Sequence, residues 1–214
     1  PAPFDLPRGD ALGSAQPGDG SRGVQRRDAE RLAVALQQFA GLGIAIVYPF
    51  TKRFFSLPQA ILGLAFSFGI PMAYAAVYGD VPLLGWWLFW LNALWVMAYD
   101  TEYAMVDRDD DGKLGLRTSA ILFGRLDVAV VMFCYAAYLA GMAFIGHYWR
   151  AGPLYYAGLG VALACALWHF WLIRTRDRDR CFRAFLHNHW FGLAVFAGVA
   201  ADFAVRIGSW PRTL

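Results

Sequence analysis

The sequence of 214 residues is poor in charged side chains and in cysteine. Asp, Glu, Lys and Arg make up 16% of the chain, whereas 58% of it is apolar and 17% is aromatic. A soluble domain of this size could not bury so much apolar surface, and a disordered chain would not contain it. Three widely separated cysteines exclude a disulfide scaffold, and a net charge of +3 is too small to indicate a nucleic-acid partner. The composition predicts an integral membrane protein whose surroundings are the lipid bilayer.

Five apolar stretches are long enough to cross about 30 Å of hydrocarbon. They cover approximately residues 58–78, 83–105, 127–148, 152–173 and 187–206, and a truncated run at residues 42–50 precedes them. Lys and Arg occur only at their ends, and none alternates like a barrel strand. The sequence therefore predicts an all-α, polytopic transmembrane helix bundle with about five full spans and one truncated span. Pro71 is expected to kink the first span.

Residues 1–41 differ in composition from the rest. Pro, Gly, Asp, Arg and Gln dominate residues 1–27, which lack the apolar core of a signal peptide. We expect residues 1–41 to be a disordered polar segment or the product of a displaced reading frame, and residues 42–214 to form the helical membrane domain.

An acidic cluster lies where the second apolar stretch ends. Asp100 is followed by Asp107, Asp109, Asp110 and Asp111. If one helix runs through this segment, residues 100, 107 and 111 fall within about 40° of one another, at 100° per residue, and three carboxylates share one face. Such a face needs a counter-ion. Mg²⁺ held by one or two carboxylates, with water and phosphate oxygens completing its shell, satisfies this need.

Three other interpretations of the acidic cluster stay open. The simplest is a solvated acidic loop. A calcium loop matches at Asp107, Asp109, Asp111 and Gly112, but its twelfth position is Thr118, which offers no carboxylate. A proton or ion relay in a transporter would also use acids at membrane depth.

Basic residues accompany the acids on the same predicted face. Lys113 and Arg117 follow the cluster, and Lys52 and Arg53 lie before the first span. Cations beside metal-bearing carboxylates suit a diphosphate, because the metal bridges its oxygens and the cations neutralise the remaining charge.

Four motifs lie at the ends of these apolar stretches. They are YPFTKR at residues 48–53, LPQAILG at 57–63, YDTEYAMVDRDDD at 99–111 and TSAILFG at 118–124. Over residues 42–206 the sequence resembles the UbiA-type membrane prenyltransferases, the family of the bacterial 4-hydroxybenzoate polyprenyltransferases. The resemblance implies a bundle of nine transmembrane helices in which two Asp-rich motifs hold Mg²⁺ on the diphosphate of a polyprenyl donor. The chain is incomplete relative to that fold, and the first Asp-rich motif has no counterpart in it.

The resemblance also implies roles for single residues. Asp107 and Asp111 match the metal-binding pair of the second motif, and Asp100 is a further candidate ligand because it shares their predicted helical face. The expected catalytic set is Asp107, Asp111, Lys52 and Arg53, and the expected diphosphate-binding set is Tyr48, Lys52, Arg53, Lys113 and Arg117.

The implied reaction transfers a polyprenyl group from polyprenyl diphosphate to the ring carbon ortho to the hydroxyl of 4-hydroxybenzoate, in ubiquinone biosynthesis. Its cofactor is Mg²⁺, and its place is the bacterial inner membrane. The alternatives are another aromatic acceptor or a non-catalytic membrane fragment. Because the first Asp-rich motif is missing, we expect the chain by itself to be inactive. No protein partner is inferable.

Polar residues inside the other spans receive structural interpretations. His169 is expected to be interfacial or buried, and the His-Asn-His sequence at residues 187–189 to be interfacial. Asp202 is expected to pair with Arg206 one turn later.

Reporter fusions test the orientation of the bundle. The loops and ends at one face of the bundle contain eleven Lys and Arg residues, and those at the other face contain three. Lys and Arg are more frequent in cytoplasmic loops, so the face with eleven is predicted to be cytoplasmic. Fusions after Arg53, Arg117 and Arg180 should therefore all report the cytoplasm, whereas a control fusion after Arg150 should report the periplasm. A periplasmic signal after Arg117 would contradict the prediction that the acidic cluster lies at the cytoplasmic face of the membrane.

Overall fold

The computed structural model describes residues 42, 43, 46, 55 and 57–208. Residues 1–41, and most of the truncated run at 42–50, lie outside these residues. Within 57–208 the helices are α1 (Pro58–Ser67), α2 (Gly69–Tyr78), α3 (Leu83–Val106), α4 (Arg108–Lys113), α5 (Ser119–Phe123), α6 (Asp127–Tyr148), α7 (Pro153–Ile173) and α8 (Arg178–Gly208). A 3-10 turn, Gly124–Leu126, joins α5 to α6. The predicted all-α fold class is confirmed.

Four segments of the described chain are long and apolar enough to cross a membrane. They are Pro58–Tyr78, Ser119–Tyr148, Pro153–Ile173 and Arg178–Arg206. The remaining predicted span is α3, a helix of 24 residues, which matches the bilayer in length. Four Trp, together with Asp100 and Glu102, make α3 less apolar than the other segments. The protein is an integral membrane protein, and the count of five spans stays a prediction.

Two element boundaries differ from the sequence-based expectation. The first span divides into α1 and α2 at Phe68. This break fits the kink predicted at Pro71, since proline cannot donate a hydrogen bond to the carbonyl of Ser67 and its ring presses on that carbonyl. The last helix begins at Arg178, nine residues before the predicted span. Hydropathy marks only the part of a helix that lies in lipid, and the polar first turns of α8 continue beyond it.

Helix α3 is the centre of the bundle. It packs against α1 and α2 on one side and against α6 and α8 on the other, and α7 packs on α6 and α8. The loops between α3 and α6, and between α7 and α8, meet at one end of the bundle. At the opposite end, Arg206 lies 3.0 Å from Asp202, which confirms the predicted pair.

Helices α7 and α8 lie in close backbone contact at two glycines. A Cβ atom on Gly158 would lie 2.7 Å from the Cα atom of Gly198, and one on Gly198 would lie 2.8 Å from the Cα of Gly158. Real Cβ atoms do not come so near to backbone, so both positions require glycine. Small residues at such crossings are what allows helices to pack tightly in lipid, where the hydrophobic effect does not drive them together.

This contact can be tested with a matched pair of alanine substitutions in α7. Gly158→Ala should lower the free energy of unfolding in detergent by about 1–3 kcal/mol, because α8 must move away from the added methyl group. A Cβ on Gly160 meets nothing within 4 Å, so Gly160→Ala should be neutral or should stabilise the helix by up to about 1 kcal/mol. Equal thermal stability of the two variants would show that the helices do not meet at Gly158.

Candidate functional site

The acidic cluster lies at the junction of α3 and α4. α3 ends at Val106 and α4 begins at Arg108, so the helix expected to run unbroken through the cluster is interrupted at Asp107. The helical hydrogen bonds nevertheless continue across the break. The Asp107 N–H donates to the carbonyl of Tyr103 at 3.3 Å, and the Asp111 N–H donates to the carbonyl of Asp107 at 2.8 Å. Asp107 and Asp111 therefore stay one turn apart on the same side.

These carboxylates differ in their exposure. Asp111 is 8% exposed and Asp100 is 9% exposed, whereas the side chain of Asp107 is 29% exposed. Among the residues that the structure describes, no three His, Cys, Asp or Glu side chains are placed to hold a metal ion together. Asp107 and Asp111 offer two oxygen ligands, the number that Mg²⁺ commonly takes from protein before water and phosphate complete its shell. The pair fits such an ion, and the ligand role of Asp100 stays a prediction.

Cations from two parts of the chain lie at the acidic cluster. The Nη1 atom of Arg178 is 3.1 Å from Asp110 Oδ2, and its Nη2 atom is 3.9 Å from Asp107 Oδ1. The Nζ atom of Lys113 is 3.5 Å from Asp110 Oδ1, and Arg117 is exposed nearby in sequence. Arg178 is one of the eleven Lys and Arg residues counted on this face, but that count could not show that the start of α8 lies against the acidic cluster.

Three predicted site residues lie outside the described part of the chain. They are Tyr48, Lys52 and Arg53. Their roles in binding the diphosphate stay predictions.

A buried polar network crosses the bundle on the other side of α3. Glu102 is fully buried. Its Oε2 atom accepts a hydrogen bond from the amide Nδ2 of Asn188 at 2.7 Å, and its Oε1 atom is 3.1 Å from the hydroxyl of Tyr135. Glu102 is about 200° from Asp100 around the helix, so the two acids point to opposite sides. This carboxyl group belongs to the core of α3, α6 and α8 and not to the acidic cluster.

The same network continues through two histidines. The Tyr135 hydroxyl is 3.0 Å from Nδ1 of His169, and Nε2 of His169 is 3.0 Å from Nδ1 of His187. His169 is buried, as one of the two expectations had it, and Asn188 is 5% exposed, whereas His189 is exposed. The face of α8 that contains Asn188 packs on α3, where the indole of Trp95 also donates to the Oδ1 atom of Asn188 at 3.1 Å. Sequence spacing alone could not pair residues 86 positions apart.

An apolar, aromatic groove runs between α3 and α8 toward the acidic cluster. It has a volume of about 310 Å³ and is lined by Trp95, Tyr99, Phe185, Leu186, Asn188 and His189. The ring of Tyr103 lies 5.0 Å from that of Phe185 and extends the aromatic wall. Tyr103 precedes Asp107 by one helical turn, so this aromatic wall continues toward the acids.

The fold and the site together define a class of protein. It is a polytopic helical membrane protein with acidic and basic side chains at one end of the bundle and an aromatic groove that leads away from them. The sequence model of the UbiA prenyltransferase family matches residues 31–193. The chain therefore belongs to the UbiA prenyltransferase family.

Similar proteins agree with this assignment. The chain is 56% identical over 179 residues to a 4-hydroxybenzoate octaprenyltransferase of Nitrosospira multiformis, an alignment covering 84% of this chain and 61% of that protein. It is 59% identical over 162 residues to a protein of the same name from Dechloromonas aromatica, covering 76% of this chain and 55% of that one. The chain thus spans about three fifths of the length of the relatives that it matches.

A solved structure supports the fold. The apo structure of a UbiA homolog from Aeropyrum pernix aligns with a TM-score of 0.64 over 92% of this chain and 77% of that one, at 21% identity. The family match begins at residue 31, within the segment that composition had separated at residue 41. The boundary between the two parts stays a prediction.

The buried network can be tested through its central hydroxyl. Tyr135→Phe should lower the free energy of unfolding by about 1–2 kcal/mol, because it removes the hydroxyl that lies within hydrogen-bonding distance of the buried Oε1 of Glu102 and Nδ1 of His169. Tyr156→Phe, at an exposed tyrosine of α7, is the control and should change little. Thermal unfolding in detergent measures both, and a Tyr135→Phe variant as stable as the control would show that the network does not hold the helices together.

Proposed function

We propose that this chain takes part in Mg²⁺-dependent transfer of a polyprenyl group from polyprenyl diphosphate to 4-hydroxybenzoate. The new bond forms at the ring carbon ortho to the hydroxyl, which makes this a step of ubiquinone biosynthesis. The observation that carries the proposal is the pairing of Asp107 and Asp111 beside Arg178 and Lys113, at the end of an apolar groove.

The acids and cations suit the diphosphate of the donor. Asp107 and Asp111 would hold Mg²⁺, which neutralises negative charge on a diphosphate when it is bound. Arg178 and Lys113 carry N–H groups that donate to phosphate oxygens, and a guanidinium can engage two of them at once. Charge of this kind stabilises the leaving group as the allylic C–O bond breaks.

The groove suits the apolar part of the donor. Its aromatic lining between α3 and α8 offers an isoprenoid chain an apolar wall that begins one turn from Asp107. A donor lying in it would have its diphosphate among the acids and its tail directed into the membrane. The allylic carbon would then lie where the two regions meet, and no nucleophilic side chain is needed because the acceptor ring supplies the electrons.

The acceptor and the location rest on the relatives and on the charge distribution. Both relatives described above carry the name 4-hydroxybenzoate octaprenyltransferase, which favours 4-hydroxybenzoate over another aromatic acceptor. The excess of basic residues at the acidic end supports a site at the cytoplasmic face of the bacterial inner membrane.

Three single substitutions in the acidic cluster test this proposal. Asp107→Ala and Asp111→Ala should each lower the rate of prenyl transfer by about 10²-fold or more, because each removes a metal ligand. Asp109 is exposed and lies on another side of α4, so Asp109→Ala should change the rate far less. The rates are measured in nanodiscs with Mg²⁺, a polyprenyl diphosphate and 4-hydroxybenzoate.

The assay needs two forms of the protein and a chelator. It is run on the 214-residue chain and on a form in which the N-terminal helices of a relative precede it. Equal losses of prenyl-transfer rate at positions 107, 109 and 111 would contradict the assignment of Asp107 and Asp111 as metal ligands. Product formation in the presence of a chelator would show that the reaction does not depend on a metal ion.

A further inference from the structure

One buried carboxylate, that of Asp127, ties the acidic cluster to α6 and to the α7–α8 loop. This residue is the first of α6 and is fully buried. Its Oδ1 atom accepts from Nη2 of Arg176 at 2.7 Å, and its Oδ2 atom accepts from Nη1 of Arg108 at 3.0 Å. The Nε atom of Arg176 also lies 3.0 Å from Oδ1. Two guanidinium groups from separate segments therefore converge on a single buried charge.

Each arginine belongs to a segment that forms the site. Arg108 directly follows Asp107 and precedes Asp111 by three residues, so its anchorage fixes how α4 is oriented. Arg176 lies in the loop between α7 and α8, two residues before Arg178. Asp127 thus connects, through one carboxylate, the segment with the candidate metal ligands and the loop that leads into Arg178, the cation that lies against Asp107 and Asp110.

The loop is held in a conformation that its sequence does not favour. Arg176 has a φ of 56°, in the left-handed region that side chains other than glycine rarely adopt. The loop therefore depends on the contacts of this arginine, whose Nη2 also donates to the carbonyl of Arg125 at 2.8 Å. Hydrogen bonding to Asp127 raises the pKa of Arg176 above its usual value, so the guanidinium stays charged.

We propose that Asp127 is a positioning residue of the metal and diphosphate site: it holds α4 through Arg108 and, through Arg176, sets Arg178 against Asp107 and Asp110. The inference deepens the proposed function and rests on it for the identity of the ligands. Without Asp127, α4 and the α7–α8 loop lose their common anchor, and the two carboxylates no longer stand preorganised for a cation.

Asp127→Asn tests this role with a matched control at the other end of the bundle. Asp202→Asn removes a half of the Asp202–Arg206 pair, which lies 3.0 Å apart and far from the acidic cluster. Both variants should lower the melting temperature, because both break an ion pair. Only Asp127→Asn should weaken the binding of Mn²⁺, by about 10-fold or more, as expected when a group that orients metal ligands is lost.

Mn²⁺ is the probe, and its binding is followed by electron paramagnetic resonance on the purified protein in nanodiscs, without substrate. Equal Mn²⁺ affinity of Asp127→Asn and Asp202→Asn would overturn the proposal, as would failure of the unaltered protein to bind Mn²⁺. Should the protein bind Mn²⁺ while the form preceded by the N-terminal helices of a relative transfers no prenyl group, the proposed function fails, and the affinities of the two variants still decide the role of Asp127.

A milder substitution covers the case in which Asp127→Asn does not fold. Arg176→Lys keeps the positive charge but loses the fork that reaches both oxygens of Asp127, so it should weaken Mn²⁺ binding by about 3-fold in a folded protein. Arg180→Lys is its control, because Arg180 in α8 lies over the ring of Trp171 and away from the cluster. Equal Mn²⁺ affinity of these two lysine variants would also contradict the proposal.

Discussion

Lipid cannot solvate a charge, and the arrangement of this bundle depends on that constraint. Of the carboxylates in the part of the chain that the structure describes, those of Asp127 and Glu102 are fully buried, and each of their oxygens lies near a hydrogen-bonding partner. The protein accommodates these two buried carboxylates in different ways. The first is a buried ion clasped by two guanidinium groups, and the second is a carboxyl group within hydrogen-bonding distance of Tyr135 and Asn188. The ion pairs of Asp127 bring α4, α6 and the α7–α8 loop together at the end of the bundle where the acidic cluster lies.

The constraint also separates two acids that are neighbours in sequence. Asp100 and Glu102 lie on opposite sides of α3, so one can serve the acidic cluster while the other holds α6 and α8 to the central helix. Under the proposed function, one face of α3 contributes to the diphosphate site and the opposite face contributes to the stability of the bundle. The aromatic groove between α3 and α8 borders both, since Asn188 belongs to the network and lines the groove.

Much of this architecture could be predicted from hydropathy and helical periodicity. The bounds of α6 agree with the apolar stretch at 127–148, and the break at Phe68 lies one turn from Pro71. The early start of α8 escaped prediction because polar turns of a helix outside lipid leave no hydropathy signal. In the site, the spacing of Asp107 and Asp111 carried the metal prediction, but the interruption at Asp107 could not be foreseen. The contacts of Arg176 and Arg178 depend on a loop that folds back over many residues, and one sequence contains no signal for such a contact.

The central claim is that Asp107 and Asp111 form a metal-dependent diphosphate site. Titration calorimetry of the protein in nanodiscs with inorganic pyrophosphate, in the presence and absence of Mg²⁺, tests it most directly. The account predicts that pyrophosphate binds only when Mg²⁺ is present, and that the double variant Asp107→Ala/Asp111→Ala does not bind it under either condition. Binding that is independent of Mg²⁺, or that is retained by the double variant, would contradict the claim.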